Sequence, residues 1–101
     1  MAVSAQLVGT ELHLAVDGIF DIELYHEFNN SYKHYLDQAQ SVVIDFAKTQ
    51  RIDSAALGLM LLLREQFGAE KSNISLINPN PAVMKSLQIA QMQNLFKLQA
   101  S

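Results

Sequence analysis

The chain has 101 residues, half of them apolar and 17% charged, with a net charge of −3 and no cysteine. That is the size of a single-core domain, expected over residues 1–101. The seven basic residues are scattered rather than clustered, which argues against nucleic acid as a partner, and the missing cysteines exclude a disulfide framework, a thiol nucleophile and a thiolate metal site.

The first residues carry no basic segment followed by a long apolar core, so no signal peptide is expected. The longest apolar run, Ala55 to Leu63, is interrupted by Gly58. It falls short of the ~20 residues of a membrane span. A cytoplasmic protein is the expectation.

Val3 to Val8 and Glu11 to Val16 flank Gly9-Thr10 and read as a hairpin. Leu12, Leu14 and Val16 alternate with Glu11, His13 and Ala15, the period of a half-buried strand. In Gly18-Ile19-Phe20-Asp21, Asp21 can cap the next helix and Gly18 ease the bend before it. Ile22 to Gln40 reads as an amphipathic helix with Leu24, Phe28, Tyr32, Tyr35 and Ala39 on one face.

Val42-Val43-Ile44, with Phe46 after it, is an apolar run without alternation, which fits a strand covered on both faces. Asp53 then stands where a helix N-cap belongs, with Ser54 in the first turn. Ala56, Met60, Leu63 and Phe67 share the core side of that helix. Ser54, Gly58, Leu61, Leu62 and Glu65 fall opposite. Two leucines beside a serine and a glycine suggest a contact surface; a helix buried all round is the competing reading.

Asn73 to Ile77 is another strand. Asn80 can cap a third helix with Pro81 at its first position, and Val83, Leu87 and Ala90 line one side of it. Asn94 to Leu98 is the last strand expected. The order β-β-α-β-α-β-α-β implies a mixed or parallel α/β sheet with helical crossovers.

Few residues suggest catalysis. His13, His26 and His34 lack the spacing of a zinc site. No phosphate-loop, dinucleotide or nucleophile-elbow motif occurs. Neither a metal nor another cofactor is expected. Asp45 and Asp53 form an acid pair only on paper, since Asp at such positions usually caps a turn or helix. Ser54 has a different interest. The first turn of a helix offers unpaired N–H groups and a partial positive charge that hold a phosphate. A phosphoryl group there adds about −1.5 to −2 charges beside Asp53 and the leucines. The plainer reading is an ordinary helix-start serine.

Val42-Val43-Ile44-Asp45-Phe46, followed by Arg51-Ile52-Asp53-Ser54-Ala55-Ala56-Leu57-Gly58, resembles the signature of STAS domains, the anti-sigma-factor antagonist fold. Gly18-Ile19-Phe20-Asp21 looks like the family's G-x-x-D motif, and Asn80 through Leu87 is similar to its N-P-x-V-x-K-x-L stretch. The resemblance spans nearly the whole chain. It implies a mixed sheet with helices mainly on one face, and a small bacterial protein that switches partners rather than an enzyme. Ser54 would be phosphorylated by an anti-sigma-type serine kinase of the GHKL type and dephosphorylated by a PP2C-type phosphatase. The unmodified form would sequester the partner. Asp21, Asp53, Ser54, Gly58, Leu61, Leu62 and Glu65 would form the contact surface.

Two departures stand out. Ala56 replaces the glycine commonest in the motif, which would narrow a kinase's approach. The chain also ends just after its last expected strand, without the terminal helix many relatives add, which leaves sheet surface for a homodimer. A STAS subunit docking on the ATPase of a lipid-transport ABC complex is the alternative within the family. A small enzyme or phosphocarrier is the alternative outside it and would need a base beside Ser54.

Overall fold

A computed structural model describes residues 2–68 and 73–99. Strands β1 (Val3–Val8) and β2 (Glu11–Val16) form an antiparallel hairpin. Gly9 takes the left-handed φ of +63° that its turn demands. After them come β3 (Gly18–Phe20), α1 (Tyr25–Lys33), β4 (Ser41–Asp45), β5 (Thr49–Ile52), α2 (Ser54–Phe67), β6 (Ile74–Ile77), α3 (Pro81–Ile89) and β7 (Lys97–Gln99). The main sheet has the order β1-β2-β4-β6-β7, parallel from β2 onward. Strands β3 and β5 pair separately as a short parallel ribbon.

Helices cover one face of the main sheet. Val3, Leu12, Leu14, Val16, Val42, Ile44, Ile74 and Leu76 point into a single core. They meet Phe28 and Tyr32 of α1, Ala56, Leu59, Met60 and Leu63 of α2, and Val83 and Leu87 of α3. The expectation of a strand covered on both faces is corrected at Val43. It stands outside that core, in register with His13 on one side and Ser75 on the other. It is nonetheless only 8% exposed, flanked by these cross-strand neighbours.

Three segments differ from the sequence reading. The first long helix ends at Lys33, because the chain then turns through bonds from Tyr35 N–H to Tyr32 C=O and from Gln38 N–H to Tyr35 C=O. Tyr35, Leu36 and Ala39 still pack on the core, so their apolar spacing outlasts the helix. The last strand is shorter and later than Asn94 to Leu98. A 3₁₀ turn at Met92–Asn94 carries Phe96 into the core, and Lys97–Gln99 then pairs with β6. The β3–β5 ribbon occupies stretches expected to be bends and connections.

Candidate functional site

The ribbon positions the start of α2. Thr49 is buried, and its hydroxyl donates to the Val16 carbonyl at 2.6 Å. Gly18 N–H donates to the Lys48 carbonyl at 2.9 Å. From the other side the Asn80 side-chain amide donates to the Thr49 and Gln50 carbonyls, each at 3.1 Å. The same asparagine caps α3, its Oδ1 accepting from Val83 N–H at 2.8 Å with Pro81 in the first helical turn. One side chain therefore ties the entry of α3 to the strand that leads into α2.

Asp53 caps α2 as its position suggested. Its Oδ1 accepts from Ala56 N–H at 3.0 Å, and its carbonyl accepts from Leu57 N–H at 3.2 Å. Ser54 is the first residue of the helix and is exposed. Among the described residues its hydroxyl has no hydrogen-bond partner. The first turn carries no acidic residue inside the helix. The helix end thus keeps its partial positive charge, with the Asp53 cap beside it.

Further along, Gly58 and Glu65 are exposed, while Leu61 and Leu62 are half-buried. The two leucines are not equivalent. Leu61 packs against the core, whereas Leu62 stays outside it. Leu59, not assigned to the core side from the sequence, is buried there. A helix buried all round is excluded by Ser54, Gly58, Glu65 and Gln66, all exposed. Ala56 is fully buried, so its methyl group faces the core and cannot narrow the approach to Ser54. A Cβ built at Gly58 meets nothing within 4 Å, so the fold itself does not require glycine there.

Asp21 is half-buried, and its side chain accepts from Glu23 N–H at 3.0 Å. It caps the 3₁₀ turn Ile22–Leu24, which runs directly into α1 at Tyr25, so it stands at the start of that helix as expected. Its neighbour Phe20 accepts from Asp53 N–H at 3.3 Å, which brings the two motifs together. This corner also carries side chains that the sequence reading left out. Ile19, Ile22 and Tyr25 are 40%, 61% and 39% exposed. Apolar residues directly around the G-x-x-D motif were the available signal.

The remaining candidates lie apart. Asp45 closes a turn, its Oδ1 accepting from Ala47 N–H at 2.9 Å and from the Asn78 amide at 3.1 Å. It therefore forms no pair with Asp53. His13 meets Glu11 at 2.8 Å on the open sheet face, and His26 stacks on Tyr25 with 5.1 Å between ring centres. Among the described residues no group of three or more acidic or histidine side chains could hold a metal ion. No described helix is long and apolar enough to cross a membrane.

A family model described as Mlab, STAS domain, matches residues 3–99. A STAS-domain containing protein of Pseudomonas aeruginosa is 37% identical over 90 residues, which is 89% of each chain. Among solved structures, an anti-sigma factor antagonist from Mycobacterium paratuberculosis superposes with a TM-score of 0.82 at 16% identity, covering 95% of this chain and 82% of that one. The phosphorylated form of the Bacillus cell fate determinant SpoIIAA gives 0.75 at 16% identity, covering 99% and 91%. At that identity the two structures speak to the fold alone.

Proposed function

The chain belongs to the STAS domain family, and from that premise we propose that it is an anti-sigma factor antagonist in a phosphorylation-dependent partner switch. The unmodified protein binds an anti-sigma-type partner, a serine kinase of the GHKL type, through the start and outer side of α2. Phosphorylation of Ser54 releases that partner, and a PP2C-type phosphatase restores binding. The chain acts as a cytoplasmic binding module and not as an enzyme.

The observation that carries this reading is the exposed, unpartnered Ser54 hydroxyl at the electropositive end of α2. A phosphate there is tolerated by the helix end. It also brings about −1.5 to −2 charges to a surface shared with Gly58 and Leu62. A partner packed on that surface would have to desolvate the new charge, which is costly.

The test has two arms. The protein is incubated with its cognate kinase and ATP, and the phosphate is mapped by mass spectrometry. Modification at Ser54, lost in Ser54→Ala, is expected; equal modification of that variant defeats the assignment. Partner affinity is then measured for Ser54→Asp, with a loss of roughly tenfold or more expected. Unchanged affinity in a folded variant overturns the switch.

A second reading within the family is a STAS subunit docked by the same helix on the ATPase of a lipid-transport ABC complex. It rests on the same outer side of α2, where Gly58 is exposed and Leu62 stands outside the core, a surface that can dock a partner with or without a phosphate on Ser54. Capture of the native partner separates the two: a GHKL-type kinase supports the switch, and an ABC ATPase supports the subunit.

A further inference from the structure

We propose that β1 is a self-association edge: two copies of the chain pair their β1 strands antiparallel about a two-fold axis through Ala5 and join their five-stranded sheets into one. The strand ends the sheet, with β2 on one side and no other strand beyond it among the described residues. The hydrogen-bond directions along it can be read from its first residues. Ala2 C=O accepts from Asp17 N–H at 2.7 Å, toward β2. Val3 N–H instead turns outward, to Glu27 Oε2 at 2.8 Å. With a period of two, the main-chain groups of Ala5 and Leu7 also point outward.

Edges of this kind are usually blunted by charge, proline or shortness. At the far side of the sheet β7 is blunted, being three residues long and starting with the exposed Lys97. Strand β1 has six residues, VSAQLV, with no charge and no proline. Among the described residues, the side chain bonded to its outward main chain is Glu27, whose carboxylate accepts from Val3 N–H, with α1 packed alongside.

The surroundings of the edge are self-complementary. With Ala5 opposite Ala5, Val3 lies opposite the second copy's Leu7 on the core side, and Ser4 lies opposite its Gln6 on the open face. No like charges meet. An open groove of about 540 Å³ runs between β1 and α1, lined by Val3, Ala5, Glu27, Asn30, Ser31, His34 and Tyr35. Paired strands lie about 4.8 Å apart, so the second copy's α1 comes alongside this groove in the opposite direction. The axis then passes near Asn30 and Ser31 and sets Glu27 against the exposed His34 of the other copy. An isologous interface needs that reciprocity: Glu27 leaves Val3 N–H for His34 as Leu7 C=O takes its place. The occupant is thus a second copy of this chain.

Sedimentation equilibrium over a rising concentration series tests this, with Ala5→Pro and His34→Glu compared against the parent chain. Proline at position 5 removes an outward N–H and leaves the bonds to β2 in place. Glutamate at position 34 sets like charges together without touching the backbone, and it serves if the proline variant loses its circular-dichroism signature. A concentration-dependent dimer is expected, with its dissociation constant raised roughly tenfold or more in either folded variant. A parent chain that stays monomeric throughout, or a dimer that neither folded variant weakens, overturns the proposal.

Discussion

The N–H of Asp53 donates to the carbonyl of Phe20 across 3.3 Å. This bond ties the residue that caps α2 to the residue before Asp21, so two motifs far apart in the chain become one corner. The cap and its negative charge can be separated there by substitution. Asp53→Ala removes the acceptor for Ala56 N–H and is expected to cost about 0.5–2 kcal/mol. Asp53→Asn keeps an oxygen in the same place and is expected to fold as stably as the parent. Urea unfolding of the two variants decides it, and equal losses would show that the charge, not the cap, holds the helix start.

Gly58 lies inside α2 on its exposed side. Glycine at such a position costs roughly 0.5–1 kcal/mol relative to alanine. With nothing within 4 Å of an added Cβ, Gly58→Ala is expected to stabilise the protein by about that amount. It is also expected to weaken partner binding, since the new methyl group stands on the docking side. Thermal unfolding and a titration with the partner read the two effects. A variant that is more stable and binds equally well removes Gly58 from the contact surface.

Leu61 and Leu62 are adjacent in the chain but differ in their packing. Leu62 is half-buried but stands outside the core, so Leu62→Glu is expected to cost about 1 kcal/mol or less and to lower partner affinity sharply. Leu61→Glu introduces a carboxylate against the core and is expected to destabilise by about 1–3 kcal/mol. Reversal of that order would mean that Leu61, not Leu62, is the free anchor.

Tyr32 sets an alkaline limit. Burial, with a smaller contribution from Tyr25, raises its phenol above the ordinary value of 10.0. Its hydroxyl donates to Asn29 Oδ1 at 3.1 Å. The folded state therefore holds the proton more tightly than the unfolded chain. The stability this gives is fully present below the ordinary phenol value and is lost as pH rises through the raised one. Tyr32→Phe is expected to flatten the fall of stability in that alkaline window; an unchanged slope between the two proteins would assign the fall to other groups.

Much of the architecture was legible because its signals were local. Gly9 in the hairpin turn, Asp53 and Asn80 as caps, and the apolar periodicity of α2 each act within a few residues. Ser54 on the exposed side followed from the helix phase once the cap was placed. The β3–β5 ribbon was not legible. Its strands are short, and what holds them is distant: Thr49 on Val16 and Asn80 on the Thr49 and Gln50 carbonyls. Nothing in the pattern around Thr49 announces those partners. The difference between Leu61 and Leu62 was hidden for a similar reason, since an angular position does not say how far a neighbouring element reaches over a side chain.

The ribbon also fixes when the Ser54 surface comes into being. Strands β3 and β5 are parallel and come from opposite sides of α1 and β4, so neither can find the other until the intervening chain has crossed over. A hairpin such as β1–β2 can close early; the platform under Ser54 cannot. On the proposed reading, partner recognition waits for that pairing, and a chain that has not completed it offers no docking surface.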